Sequence, residues 1–176
     1  MRPSPGTTHK LSTEQQLYLS AQRALMRRAH SIHEMHEYLA RRADDASQIP
    51  GVIARLRELR YLDDARYALN YAQSRVHSHH GRFRISRELR ARGVPTEHID
   101  AALTSVFAET DEASLVRARL KRRLAHVRPP LDRRKLASLY RSLLAAGFSA
   151  DIIRAELKNV TTADLPDLEP TPPSES

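Results

Sequence analysis

One stretch of this chain repeats another, and that repeat limits the folds open to it. Residues 87–103 read RELRARGVPTEHIDAAL and residues 141–157 read RSLLAAGFSADIIRAEL, and they align without a gap. Leu89, Gly93, Ile99 and Leu103 fall on Leu143, Gly147, Ile153 and Leu157, a shift of 54 residues. A shift of 50 lays Leu39, Ala43, Ile49 and Ile53 on the same frame in a more diverged copy. Periods of this size belong to stacked helical arrays, in which each unit buries a small core and leans on its neighbours.

Helical spacing runs through the chain, and no segment alternates with period two. Ile99, Ala102, Leu103 and Val106 form one apolar stripe at i, i+3, i+4, i+7. Val116, Leu120, Leu124 and Val127 form another, ended by Pro129-Pro130, and Leu136, Leu139, Tyr140 and Leu143 a third, ended by Gly147. Thr13-x-x-Gln16 and Ser31-x-x-Glu34 are capping-box patterns that start two helices. Pro95 suits the first turn of the helix carrying Ile99, and Ser149 suits the cap of the last. The expected fold is all-α: three tandem three-helix repeats, at 11–59, 62–108 and 111–160, forming an elongated, curved array. Residues 1–10 are expected to be a flexible N-terminus. Residues 161–176 hold four acids, no base and four of the ten prolines. They read as a disordered acidic tail, with too little apolar surface to offset the entropy of ordering.

Charge points to the partner. Among 176 residues, 29 Lys and Arg face 21 Asp and Glu, a formal net charge of +8. The excess is clustered: residues 75–92 hold six arginines against one glutamate, and 117–135 nine bases against one aspartate. Such patches favour polyanions. Candidate phosphate- or partner-binding residues are Arg75, Arg82, Arg84, Arg87, Arg90 and Arg92 in the first cluster, and Arg117, Arg119, Lys121, Arg122 and Arg123 in the second. Arg84, Arg87 and Arg90 stand at i, i+3, i+6, and the guanidinium fork suits phosphate and carboxylate alike. A solvated outer face opposite Ile85 and Leu89 accounts for the same pattern, and both readings stand at this point.

Catalytic signatures are missing. There is no cysteine, so no thiol nucleophile or disulfide. Neither a GxxxxGK[ST] phosphate loop nor a Gly-x-Ser-x-Gly elbow occurs. His30, His33 and His36 lie near Glu34 and Glu37, yet the residue four beyond His33 is Glu37, so the zinc-protease pattern fails and a polar helix surface is expected. Asp44-Asp45 and Asp63-Asp64 sit at helix starts, where capping explains them. No apolar run approaches the ~20 residues of a membrane span, and MRPSPGTTHKLST lacks a signal's apolar core. The missing cysteines fit a reducing cytosol, and no catalytic activity, metal or cofactor is expected.

The most specific stretch is 61–94, YLDDARYALNYAQSRVHSHHGRFRISRELRARGV. Asp63 caps a helix, Asp64 suits its positive end, and Leu62 can pack on Tyr67 as a hydrophobic staple. Tyr67 and Tyr71 stand one turn apart; with Tyr140 they could stack on bases of a single strand, but their positions beside apolar stripes favour core packing. A polar loop, SHHG, precedes the Arg-rich helix, which stops at Gly93, a residue suited to the left-handed position after a helix. The ordered set Tyr61-Leu62-Asp63-Asp64, Arg66-Tyr67, Ser74-Arg75, Gly81, Arg84-Ile85, Glu88-Leu89 and Arg92-Gly93-Val94 resembles the RecX family, bacterial regulators of the RecA recombinase. The resemblance extends more weakly over residues 20–160. It departs from the family at Arg60, where glycine is usual, and at His79-His80-Gly81-Arg82-Phe83, where the loop usually has aromatic-glycine character.

The resemblance implies a modulator of RecA in DNA repair and recombination. Such a protein lies in the groove of the RecA–single-stranded-DNA filament and inhibits filament extension, ATP hydrolysis and strand exchange. It implies the filament and single-stranded DNA as partners; the lack of a long apolar run argues against a membrane partner, and an extended array suggests a monomer. Composition alone supports a second reading, a general helical nucleic-acid-binding protein using the same basic track.

Overall fold

Each apolar stripe described above becomes one buried face of a helix. The computed structural model describes residues 10–125 and 131–163. The first nine residues and the acidic tail from residue 164 lie outside the described residues, as do Val127, Pro129 and Pro130. Among the described residues there are nine α-helices and no strand. They are α1 (Glu14–Arg27), α2 (Ile32–Ala40), α3 (Ile49–Glu58), α4 (Asp64–His77), α5 (Arg82–Arg90), α6 (Thr96–Ala108), α7 (Glu112–Leu124), α8 (Arg133–Ala145) and α9 (Ala150–Ala163). A short 3-10 turn, Ala46–Gln48, leads into α3 and is capped by Asp45. The fold is all-α, as the spacing requires.

The chain divides into two compact units: residues up to 74 with 86–106, and 75–85 with residues from 107 onward. In the first unit Leu17, Tyr18, Ala21 and Ala24 of α1 meet Met35 and Leu39 of α2 and Val52, Ile53 and Leu56 of α3. In the second, Val116 and Leu120 of α7 pack with Leu139 and Leu143 of α8 and Phe148 and Ile153 beside them. Each buried Val, Leu, Ile, Met or Phe side chain among them contributes about 1.5–3 kcal/mol. The aligned residues Leu39, Ala43, Ile49, Ile53, Leu89, Ile99, Leu103, Leu143 and Ile153 are all buried, and Leu157 is partly so.

Four helices end in the same way. Gly93 follows α5 at φ +69° and Gly147 follows α8 at φ +91°. Gly93 N–H donates to Arg90 (2.9 Å) and Val94 N–H to Leu89 (3.2 Å), and Gly147 and Phe148 repeat the pair on Leu144 and Leu143. This crossed pair of bonds satisfies the last carbonyls of a helix and needs a left-handed residue. Helices α3 and α4 use it too, but with Arg60 (φ +55°) and His79 (φ +57°) in the left-handed position. The residue that departs from the RecX pattern therefore occupies a site where a Cβ is strained.

Two expectations shift. His30 is buried instead of lying on a polar surface; its ring meets Tyr38 edge-on at 6.2 Å, and its Nδ1 bonds the Arg28 carbonyl at 3.0 Å. Pro95 precedes α6 instead of entering it, its carbonyl accepting from Ile99 N–H at 3.1 Å. An apolar pyrrolidine at that point ends one turn and opens the next without losing a needed donor.

Candidate nucleic-acid interface

The acid pairs at helix starts do two different jobs. Asp63 caps α4, accepting Arg66 N–H at 2.9 Å, and Asp111 caps α7, accepting Ala113 N–H at 3.0 Å and Ser114 N–H at 3.1 Å. The next residue turns away to another helix. Asp64 Oδ1 accepts Ile32 N–H at 2.9 Å, at the start of α2. Glu112 Oε1 accepts Arg82 N–H at 3.5 Å, at the start of α5. Burial raises the carboxyls of both above their ordinary range, against the N–H bonds they receive.

Several bonds secure the start of α2. Ser31 and Glu34 form the reciprocal capping box that their spacing predicts. Ser31 Oγ also donates to the Arg92 carbonyl at 2.6 Å, tying the end of α5 to the start of α2. At the start of α5, Gly81 N–H donates to Ala146 at 2.9 Å and Phe83 N–H to Gly147 at 3.1 Å, so the end of α8 docks there. Glycine is required at both junctions. A Cβ on Gly93 would stand 2.3 Å from the His33 ring, and one on Gly147 would stand 2.3 Å from Arg84 N.

Among the candidate basic residues, the structure sorts bound from outward-facing. Arg92 Nη1 pairs with Glu34 at 2.8 Å, and its guanidinium lies 4.9 Å from the Tyr71 ring centre. Glu34 also receives Arg28 at 3.1 Å and the Tyr67 hydroxyl at 3.3 Å. Burial opposes its ionisation, but the hydrogen bonds from Arg28 and Ser31 and the charges of Arg28 and Arg92 prevail and hold its carboxyl below the usual range. Tyr71 stacks on Tyr67 at 6.1 Å and donates to Glu88 at 2.7 Å. These tyrosines therefore serve a polar network inside the first unit. The network carries no sequence signal, because Glu34 and Arg92 stand 58 positions apart.

Arg117 is similarly engaged, with Asp111 at 2.9 Å and Glu156 at 2.8 Å. Arg82 is exposed, with its guanidinium 5.2 Å from the centre of the Phe107 ring. Arg75, Arg84 and Arg119 are half-buried. Arg87 and Arg90 on α5 and Lys121, Arg122 and Arg123 on α7 are exposed and have no ion-pair partner among the described residues. Arg84 therefore differs in exposure from the two arginines that share its predicted stripe. Phe83, which the sequence reading passed over, is 61% exposed at the first turn of α5. Its signal was an apolar residue on the polar side of the Ile85–Leu89 stripe.

The family-motif residues are mostly structural. Leu62, Asp64, Tyr67, Gly81, Ile85 and Leu89 are buried, while Tyr61 is exposed. An open cleft of about 880 Å³ in the first unit is bordered by His33, His36, Arg57, Asp63, Asp64 and His98. Among the described residues no group of three or more His, Cys, Asp or Glu could hold a metal ion, and no helix is long and apolar enough to cross a membrane.

Comparison with known proteins agrees with this construction. The family model for RecX, second three-helix domain, matches residues 63–103. The regulatory protein RecX of Halorhodospira halophila is 38% identical over 136 residues, covering 77% of this chain and 83% of that protein. The regulatory protein RecX of Leptothrix cholodnii is 33% identical over 134 residues, covering 76% and 82%. A crystal structure of RecX from Lactobacillus salivarius shares the fold, with a TM-score of 0.67 at 22% identity over 85% of this chain and 97% of that one. With this identity across most of a relative's length, and with the paired acids and glycines of its helix junctions in place, the chain belongs to the RecX family of regulatory proteins.

Proposed function

We propose that the protein is a negative modulator of RecA that binds in the groove of the RecA–single-stranded-DNA filament. There it inhibits filament extension, ATP hydrolysis and strand exchange, without chemistry of its own. Three tandem three-helix units, 11–59, 62–108 and 111–160, make up the part of the chain that engages the groove. It works as a monomer in the cytoplasm.

The observation that carries this reading is the set of exposed cations in a member of the RecX family: Arg87 and Arg90 on α5, and Lys121, Arg122 and Arg123 on α7. These groups are available to DNA phosphates or to acidic side chains of RecA. Inhibition is then steric: a body that touches neighbouring subunits resists the movements that the recombination cycle requires. Phe83 adds an exposed ring on which an unpaired base can stack.

Binding to bare single-stranded DNA and to RecA filaments separates this from general nucleic-acid binding. Bare-DNA affinity falls by about 0.7 log units per phosphate contact for each tenfold rise in salt. The modulator reading predicts that filament binding persists at physiological salt after bare-DNA binding has faded. Equal affinity for both would favour the general binder.

A further inference from the structure

Tyr61 opens the stretch that resembles the family, yet the fold of its unit leaves it in water. Leu62, the next residue, is buried in the core, whereas Tyr61 is 53% exposed. With Gln22, Leu25 and Met26 of α1 it borders an open cavity of about 380 Å³ in the first unit. Met26 is 85% exposed. Leu19, seven positions earlier and on the same side of α1, is exposed as well, as is Leu59 in the turn that carries Tyr61. Burying such groups is favourable, and apolar side chains collected around one concavity mark a binding surface.

The chemistry of the cavity selects its occupant. Among the described residues no charged side chain lines it, so a phosphate finds no counter-charge inside. The Gln22 amide donates to the Tyr18 hydroxyl at 3.3 Å, which takes up part of the polarity of the lining. An apolar side chain fits the interior, and the flexible thioether of Met26 adapts to its shape. The surroundings are cationic. Residues 17–27 and 55–61, which carry the lining, hold five arginines and one acid, Glu58. Of these, Arg23, Arg27 and Arg60 are exposed and form no ion pair among the described residues. An apolar anchor flanked by carboxylates complements both parts. A second copy of this chain does not, because a two-fold contact sets the same arginines against one another. A bilayer does not either: α1 turns its main apolar face into the core, which leaves too narrow a face to lie in a membrane surface.

We propose that this cavity docks an acidic segment of the filament's protein, RecA. One apolar side chain of that segment enters between Met26 and Tyr61, and its flanking carboxylates meet Arg23, Arg27 and Arg60. The proposal rests on the reading of the protein as a partner of the nucleoprotein filament. It adds a protein-facing contact on the first unit to the exposed cations of α5 and α7.

The test measures binding of the full chain to RecA–single-stranded-DNA filaments and, in parallel, to a labelled oligothymidylate. Met26→Gln changes a side chain that is exposed in the free protein and carries no charge, so the variant folds as wild type does. It should bind filaments about tenfold more weakly or worse, with its oligothymidylate affinity unchanged. Leu144→Gln, at an exposed apolar position of α8 in the second unit, should change neither. Wild-type filament affinity for Met26→Gln, or an equal loss on oligothymidylate, overturns the proposal. Arg23→Glu with Arg27→Glu should also weaken filament binding; an unchanged affinity means that the occupant is not acidic, and the proposal fails. Photo-crosslinking from Met26→benzoylphenylalanine should attach the chain to RecA. Attachment to DNA or to a second copy, or wild-type flotation with phosphatidylglycerol vesicles that Met26→Gln abolishes, contradicts the proposal. Suppression of the RecA ATPase is read separately. A silent Met26→Gln with intact wild-type suppression removes this inference alone, whereas a wild type that neither binds nor suppresses the filament removes the modulator reading with it.

Discussion

The carboxylate of Asp64 accepts the backbone N–H of Ile32 at 2.9 Å, across 32 positions of sequence. One acid of a pair thus caps its own helix while the next secures the start of a different one. Asp64→Ala leaves a buried N–H unpaired and should destabilise the protein by about 1–3 kcal/mol. Asp64→Asn keeps an accepting oxygen without a charge to desolvate, and should lose far less. The sign with pH follows from the raised carboxyl. Asp64's contribution is fully present below the ordinary aspartate value and is lost as pH rises through its raised folded value. Urea unfolding of both variants checks the order; equal losses would refute the assignment.

Helix endings give a second, opposite pair of expectations. Arg60 sits in the left-handed region, and its carbonyl accepts from Arg66, a bond that needs no Arg60 side chain. Arg60→Gly should stabilise the protein by about 1 kcal/mol by removing that strain. Gly93→Ala adds both left-handed strain and a Cβ 2.3 Å from the His33 ring. It should cost about 2–4 kcal/mol, combining backbone strain with overpacking. Thermal melts of the two variants should move in opposite directions.

The arginines divide by what they touch. Arg92 is half-buried against Glu34 and Tyr71, so Arg92→Ala should cost about 1–3 kcal/mol of stability by leaving Glu34 short of a partner. Arg87→Glu with Arg90→Glu changes only exposed groups. That double variant should keep its melting temperature within a few degrees, a shift set by less than about 1 kcal/mol, and lose suppression of RecA's ATPase. Suppression at the wild-type level would exclude this part of α5 from the contact.

The same contrast explains what was legible in the sequence. The stripes, caps and glycine stops are local, with periods of a few residues, and the helices form where they predict. The capping box at Ser31 and Glu34 was readable because both residues belong to one turn. The junctions were not. Ser31 to Arg92 and Glu34 to Arg92 span 61 and 58 positions, and no local rule brings them together. Charge counting also could not separate Arg92, held inside a network, from Arg90, two positions away and exposed.

Histidine sets the pH dependence. Burial, then the charge of Arg28, push His30 below its ordinary range, and burial with its arginine neighbours does the same to His80. Lowered folded values mean that the unfolded chain binds more protons, so this stability is present above the ordinary histidine value and lost as pH falls from it. Urea midpoints should decline from about pH 7.5 to about pH 6, the window around the ordinary histidine value. His30→Gln should flatten part of that decline. Parallel curves for wild type and variant would contradict the role of His30.

The most direct test of the modulator reading is the ATPase rate of a RecA–single-stranded-DNA filament, titrated with the wild-type protein at physiological salt. The account predicts a progressive fall in rate that Arg87→Glu with Arg90→Glu fails to produce. A rate that stays constant while the protein is bound to the filament would contradict it.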